Sequence, residues 1–207
     1  AFDLMLQAMS GLMSITGEAG GKPVRVGYQV ADLAGGLYLA LGVAAGLAQA
    51  QASGAGEAVQ VSLFDAQMAM LTWQAQGYLQ GGPVPRAAGA RHGMIAPSDI
   101  YRSSDGRWIA LAPTGDAFWQ ALCAAIGLPG LAEDPRYATP AARVANVDAL
   151  TEALSGAIGA RSAQEWLDIF EARRVPAALV LGVDEALAHP LAASRGMVEA
   201  VARPGDG

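Results

Sequence analysis

The sequence predicts a mixed α/β protein, and three features of its residue pattern lead to this prediction. Over most of the chain, apolar residues recur three and four positions apart, which is the spacing of amphipathic helices. Shorter segments alternate apolar with polar residues or are continuously apolar, as β-strands are. Two of these short segments are separated by Asp105-Gly106, a residue pair that favours a β-hairpin turn.

The first part of the chain is predicted to be mainly helical. A helix over residues 3–15 ends at the glycines that begin with Gly17, and a loop follows up to Val30. Asp32 is predicted to be the N-cap of a long helix that ends near Gly54, because a long apolar run begins directly after this preferred capping residue.

Residues 33–56 carry no charged side chain and are long enough to span a membrane. Gln49, Gln51 and Ser53 lie toward the end of this segment, and no Lys or Arg lies near either end to orient it in a bilayer. Both interpretations stay open, and the composition favours a helix buried in the core of a soluble protein.

The middle of the chain combines a predicted strand, a helix and a loop. Residues 57–64 alternate apolar and polar residues and are predicted to form a strand, and helical spacing returns over residues 65–80. Residues 81–93 are rich in glycine, proline and arginine. They are the strongest candidate for a domain boundary or a functional loop.

The second half is predicted to combine a hairpin, three helices and a last strand. The hairpin pairs residues 99–102 with 107–112, and residues 177–181 form the strand. Thr139-Pro140 and the capping box of Ser162 with Glu165 mark two helix starts. Apolar helical stripes occupy residues 118–126, 144–158 and 166–170.

Charge and cysteine content exclude several classes of function. The 207 residues include 13 Lys and Arg against 19 Asp and Glu, and the net charge of −6 argues against nucleic acid or an anionic membrane as a partner. The single Cys123 fits a reducing compartment, and no signal-peptide pattern is present at the start, so we expect a cytoplasmic protein. The two histidines and the cysteine have no ligand spacing, so no metal site is predicted.

Asp32 and the helix behind it form the strongest candidate site. Gly35, Gly36, Gly42 and Gly46 each cost a helix interior up to about 1 kcal/mol relative to Ala, which indicates close approach of a backbone or a ligand. A carboxylate at a helix N-terminus is stabilised by about 0.3 to 1 kcal/mol, and it can act as a nucleophile. The alternative is that Asp32 only caps the helix.

Successive segments resemble the class III acyl-CoA transferases, the family of the formyl-CoA and carnitine CoA-transferases. The resemblance is carried by residues 2–17 (FDLMLQAMSGLMSITG), 30–36 (VADLAGG) and 54–65 (GAGEAVQVSLFD). Residues 101–112, 134–146 and 165–166 are similar to later blocks of the family. The resemblance extends, in order, over essentially the whole chain.

The resemblance implies part of a Rossmann-like large domain and a smaller α+β domain. Residues 1–63 would form a portion of the large domain with the catalytic Asp, residues 64–88 a linker helix and loop, residues 89–188 the small domain, and residues 189–207 the start of a return linker. Family members are much longer and form interlocked dimers. We therefore expect a homodimer of the full-length protein, and little or no activity from these residues alone.

The resemblance also implies a reaction. In the family, the Asp at the position of Asp32 attacks an acyl-CoA thioester, and an acyl-aspartyl anhydride and an aspartyl-CoA thioester follow. The expected partners are an acyl-CoA and a carboxylic acid, with no nucleic acid and no membrane. Coenzyme A is a substrate, and neither a metal nor a tightly bound cofactor is needed.

Further substrate-binding candidates rest on the same resemblance. A glycine-rich family loop that closes over the intermediates matches residues 89–94 (GARHGM), which makes candidates of Gly89, His92, Gly93 and Met94. Leu63 matches a position that lines the CoA arm, and Asp99 matches an acidic position of related racemases. A purely structural role is the alternative for Leu63, His92 and Asp99.

Two other functions stay open. An α-methylacyl-CoA racemase would exchange the α-proton between an Asp and a His. Residues 7–11 (QAMSG) resemble the transferase branch instead, and no His precedes Asp32. The other hypothesis is that the chain is a non-catalytic binding or assembly module of the same family.

Overall fold

A computed structural model describes residues 2–201. The chain forms two compact units, and the boundary between them lies between Ala90 and Arg91. Both helices and strands are present, so the mixed α/β prediction is confirmed. The four-segment division into large domain, linker, small domain and return linker stays a prediction.

The first unit is helical. Its elements are α1 (Asp3–Met9), a 3-10 turn (Leu12–Ser14), α2 (Val30–Ser53), α3 (Leu63–Met70) and α4 (Thr72–Leu79). The helix predicted over residues 65–80 is interrupted at Leu71, and Thr72, which follows, has a φ of 42° in the left-handed region.

The strand predicted over residues 57–64 is wrong. Residues 57–62 lie outside the helices and strands, and Leu63 begins α3. The Ser62 hydroxyl accepts the backbone N–H of Asp65 at 3.2 Å and so caps α3. The apolar alternation serves packing instead, because Val59 lies against α2, where a Cβ on Gly42 would come within 2.7 Å of its Cγ1.

The prediction that α2 is buried in a core is wrong for the part of the chain that the structure describes. Ala31, Ala34 and Gly35 are its buried residues, and leucines such as Leu37 are exposed. By length and composition α2 could cross a membrane, although core helices of soluble proteins pass the same test. In the first unit, α1 and α3 pack against α2. The uncharged sequence of residues 33–56 does not indicate which elements cover this helix.

The second unit contains a three-stranded antiparallel sheet in the order β1 (Asp99–Arg102), β2 (Trp108–Leu111) and β3 (Ala177–Leu179). Asp99 pairs with Leu111 and Arg102 with Trp108, which confirms the predicted hairpin. Gly106 in the turn has a φ of 81°, a value that glycine adopts without strain. The helices of the second unit are α5 (Asp116–Ala125), α6 (Gly130–Glu133), α7 (Pro140–Ala145), α8 (Val147–Ile158), α9 (Ala163–Ala172), α10 (Val183–Ala188) and α11 (Pro190–Ser194).

The core of the second unit lies between the sheet and helices α5, α8 and α9. Its buried side chains include Tyr101, Ile109, Leu111, Trp119, Leu122, Cys123, Leu150, Leu154, Trp166 and Phe170. The predicted helix starts are confirmed, since Thr139 accepts the N–H of Ala142 and Ser162 forms the capping box with Glu165.

Arg143 is buried in this unit, with a side chain that is 2% exposed. Its Nε donates to the carbonyl oxygen of Ala96 at 3.2 Å and its Nη1 to that of Tyr137 at 3.1 Å. Its Nη2 donates to Asp116 Oδ1 at 3.0 Å. One cation therefore joins the segment before β1, the segment before α7 and the start of α5.

Candidate functional site

Asp32 lies in the first turn of α2 and is exposed. The helix begins at Val30 with Gln29 as its N-cap residue, so the prediction that Asp32 is the N-cap is wrong. A carboxylate in a first turn is still stabilised by the helix dipole. Asp32 thus keeps a favourable environment for its charge while its side chain is open to solvent.

Asp3 of α1 caps the start of α2 with its side chain. Its Oδ1 accepts the backbone N–H of Ala31 at 3.0 Å, and its Oδ2 accepts a hydrogen bond from Gln7 Nε2 at 2.7 Å. Gln7 is fully buried, and its Oε1 accepts the N–H of Val26 at 2.9 Å. The residue directly before Asp32 is therefore fixed to α1 by a partly buried polar network.

Gln67 of α3 contacts the start of α2 from another helix. Its Nε2 donates to the carbonyl oxygen of Val30 at 3.4 Å, and the residue is 1% exposed. Asp3, Gln7 and Gln67 are functional candidates that the sequence reasoning missed. The signal was present in part, because Asp3 and Gln7 are polar residues four positions apart on an otherwise largely apolar helix.

Leu63 packs directly on the helix turn that follows Asp32. A Cβ built on Gly35 would overlap Leu63 Cδ2, so the two residues are in closer contact than any side chain at position 35 would permit. Leu63 is half-buried. The structure therefore places this predicted CoA-arm residue one turn away from Asp32 along α2.

The 89–94 segment is divided between the two units. Gly89 belongs to the first unit, where its N–H donates to the Gly17 carbonyl oxygen at 2.8 Å and its φ is 68°. A Cβ on Gly89 would lie 3.0 Å from Glu18 Oε2. His92, Gly93 and Met94 belong to the second unit, so Asp32, Leu63 and Gly89 form one group of candidates and the remaining predicted residues form another.

A local hydrogen-bond pattern shapes the second group. The N–H of His92 donates to the Ser98 carbonyl oxygen at 2.9 Å, and the N–H of Met94 donates to His92 Nδ1 at 3.1 Å. Gly93 and Met94 are exposed. The imidazole thus folds back on its own loop and holds the turn around Gly93.

Asp99 is partnered at the first position of β1. Its Oδ1 accepts the N–H of Ile100 at 2.8 Å, and its Oδ2 lies 3.7 Å from Arg91 Nε. Arg91 also donates to Asp148, and this hydrogen bond is the main cause of a raised pKa of the Arg91 guanidinium. Among residues 2–201, no group of three or more His, Cys, Asp or Glu side chains could hold a metal ion.

Comparison with known proteins defines the family. The sequence profile of CoA-transferase family III matches residues 1–207, and the chain belongs to this family. It is 37% identical over 199 residues to the acetyl-CoA:oxalate CoA-transferase of Acetobacter aceti, covering 96% of this chain and 51% of that protein. It is 35% identical to the succinate–glutarate CoA-transferase of Agrobacterium fabrum, covering 95% of this chain and 49% of that protein.

A solved structure agrees with this assignment. The crystal structure of a CaiB/BaiF family protein from Brucella suis superposes with a TM-score of 0.82 at 34% identity, over 95% of this chain and 52% of that one. The chain spans about half the length of the relatives that it matches.

Proposed function

We propose that the full-length protein transfers coenzyme A from an acyl-CoA to a carboxylic acid and that Asp32 is its nucleophile. The observation that carries the proposal is the exposed carboxylate of Asp32 in the first turn of α2, next to a residue whose backbone N–H is held by Asp3. Membership of CoA-transferase family III supports the same reaction class.

The first half-reaction transfers CoA to the enzyme. A carboxylate oxygen of Asp32 attacks the thioester carbonyl carbon, the C–S bond breaks, and an acyl-aspartyl anhydride and CoA thiolate form. The thiolate sulfur then attacks the aspartyl carbonyl carbon. The donor acid leaves as its carboxylate, and an aspartyl-CoA thioester remains.

The second half-reaction repeats these steps in reverse order. A carboxylate of the acceptor acid attacks the aspartyl carbonyl carbon, which releases CoA thiolate and forms a new mixed anhydride. The thiolate attacks the acceptor acyl carbon and regenerates the Asp32 carboxylate. No net proton or electron transfer occurs, and covalent catalysis of this kind splits a difficult exchange into easier steps.

The remaining candidates bind substrate in this proposal. Leu63 lines the CoA arm, and Gly89, His92 and Met94 contact the acyl-CoA. Gly93, in the same segment as His92 and Met94, is a further substrate-binding candidate. Asp99 is also proposed to bind substrate, and its carboxylate lies beside the Arg91 guanidinium.

Trapping tests the nucleophile. The full-length protein is incubated with acyl-CoA and hydroxylamine, and the Asp32 peptide is expected to carry an aspartyl hydroxamate by mass spectrometry. Asp32→Asn should lower kcat by a factor on the order of 1,000 or more, as loss of a covalent nucleophile does. Asp65→Asn is the matched control, because Asp65 is also an exposed carboxylate in a first helical turn of the same unit.

Two outcomes would overturn the proposal. Full transferase activity in Asp32→Ala would exclude this mechanism. Racemisation of a chiral 2-methylacyl-CoA without any acceptor acid would indicate the racemase reaction instead.

We further propose that the full-length protein is a cytoplasmic homodimer and that residues 1–207 alone have little activity. The exposed leucines of α2 support additional contacts in the whole protein, since Leu33, Leu37, Leu41 and Leu47 are each more than half exposed. Light scattering coupled to size exclusion, with intact mass of the natural polypeptide, measures the oligomeric state. A monomer at working concentration would contradict the dimer.

A further inference from the structure

Arg91 begins the second unit and lies within the proposed substrate loop. Its guanidinium uses each of its three nitrogens for a different partner: Nη1 donates to Asp148 Oδ1 at 2.7 Å, Nη2 donates to Thr151 Oγ1 at 3.3 Å, and Nε lies 3.7 Å from Asp99 Oδ2. The first two partners lie on α8 and the third on β1. One side chain thus ties the loop to two elements of the core.

Two of the three partners of Arg91 are held on elements of the core, whereas the Asp148 side chain is 91% exposed. Asp99 is paired with Leu111 across the sheet, and its carboxylate also accepts the N–H of Ile100. Thr151 follows the fully buried Leu150 on α8. A planar guanidinium that meets fixed acceptors loses less conformational freedom per hydrogen bond than a flexible ammonium does, so Lys is a poor replacement for Arg here.

The far end of the same loop is anchored as well. The carbonyl oxygen of Ala96 accepts a hydrogen bond from the buried Arg143. Between Arg91 and Ala96, Gly93, Met94 and Ile95 are exposed. The loop of residues 91–96 therefore has two fixed ends and an exposed tip.

We propose that Arg91 is a positioning residue of the transfer reaction: it clamps the start of the 91–96 loop to β1 and α8, so that the exposed tip of residues 93–95 keeps one conformation. The inference rests on the proposed function and deepens it. Arg91 does not touch the reacting atoms in this proposal. It acts by raising the fraction of molecules whose loop is competent for the chemical step.

Kinetics of full-length variants test the clamp. Arg91→Gln should lower kcat by about 10-fold to 100-fold with little change in KM for acyl-CoA, because fewer molecules would hold the loop in the conformation that the chemical step requires. Arg91→Lys keeps the charge and loses the fork, so its kcat should fall between those of Arg91→Gln and the wild type.

Arg107→Gln is the matched control. Arg107 also forms a two-oxygen ion pair in the second unit, with Nη2 at 2.9 and 3.0 Å from the oxygens of Glu185, and it lies outside the loop. This variant should keep the wild-type kcat. An equal loss of kcat in both Gln variants would show that Arg91 contributes only to the general stability of the second unit. This result would overturn the proposal.

Amide hydrogen exchange separates the clamp from the proposed nucleophile. Exchange is measured without substrate, and Arg91→Gln should speed exchange at residues 92–95 while the core of α8 stays protected. Unchanged exchange together with unchanged kcat overturns the clamp. If hydroxylamine fails to trap Asp32 in the wild type, the proposed function fails, and faster loop exchange would still support the clamp. If Arg91→Gln does not fold, Arg91→Lys and Asp148→Asn give the same comparison.

Discussion

Leu63 Cδ2 occupies the space in which a side chain on Gly35 would begin, one helical turn after Asp32. An alanine at position 35, which lies within α2 and not in a turn, would therefore require Leu63 Cδ2 to move. The next glycine, Gly36, has no heavy atom within 4 Å of the corresponding position. The two adjacent glycines therefore differ: a methyl group at position 35 would meet Leu63, and a methyl group at position 36 would meet open space.

Alanine at these two positions should have opposite effects on stability. Gly36→Ala gains helix propensity and should stabilise the full-length protein by about 0.5 to 1 kcal/mol. Gly35→Ala gains the same propensity but overpacks Leu63 at a cost of about 1 to 3 kcal/mol, so it should be destabilising by up to about 2 kcal/mol. Denaturant midpoints measure both, and a shift of the same sign for the two variants would contradict the close contact.

Displacement of Leu63 should also affect the reaction. If Leu63 lines the CoA arm, Gly35→Ala should raise KM for acyl-CoA several-fold, while Gly36→Ala should leave it unchanged. Steady-state kinetics with varied acyl-CoA concentration provides the check. An unchanged KM in Gly35→Ala would assign Leu63 to packing alone.

Removal of the Asp3 carboxylate should loosen the start of α2. Asp3→Ala leaves the N–H of Ala31 and the buried amide of Gln7 without their acceptor, and it should destabilise the protein by about 1 to 3 kcal/mol and lower kcat. Asp3→Asn keeps one carbonyl oxygen that can accept from Ala31, so its losses should be smaller. Thermal unfolding and initial rates measure both effects. Wild-type values in Asp3→Ala would show that this carboxylate does not hold α2.

Cys123 should report the unfolding of the second unit. Burial raises the pKa of its thiol to about 12, so the native protein keeps the unreactive protonated form. Iodoacetamide at pH 8 should label the Cys123 peptide only when denaturant unfolds the unit, as mass spectrometry would detect. Rapid labelling in native buffer would contradict the burial.

The raised pKa of Cys123 also determines how the stability of the folded protein changes at alkaline pH. In the unfolded chain a cysteine ionises with a pKa of about 8.5, so above that pH the unfolded state binds fewer protons than the folded state. Stability from this thiol is fully present below about pH 8.5 and is lost as the pH rises toward about 12. Cys123→Ala should flatten this decline, and an equally steep decline in that variant would assign the effect to other groups.

Local signals in the sequence were sufficient for much of the second unit. The Asp105-Gly106 turn, the Thr139 cap and the Ser162–Glu165 capping box depend on residues within a few positions of one another, and each is present. Such short-range chemistry can be read directly from spacing.

The first unit was harder because its decisive contacts are long-range. Asp32 resembles an N-cap locally, yet it is Asp3, 28 positions before Ala31, whose carboxylate accepts the N–H of Ala31. Residues 57–64 alternate like a strand, yet Ser62 caps a helix and Val59 packs on α2. The Rossmann-like layout, the dimer and the site roles stay predictions, since spacing cannot show which surfaces meet.

The three hydrogen bonds of Arg143 have a consequence for how the second unit opens. Local opening at Ala96, Tyr137 or Asp116 would strip a partner from a cation that is sealed from water, which is strongly unfavourable. These segments are 20 to 41 positions apart in sequence, as Ala96, Asp116 and Tyr137 show. They are consequently expected to exchange their amide protons with one shared protection factor, as a single cooperative block.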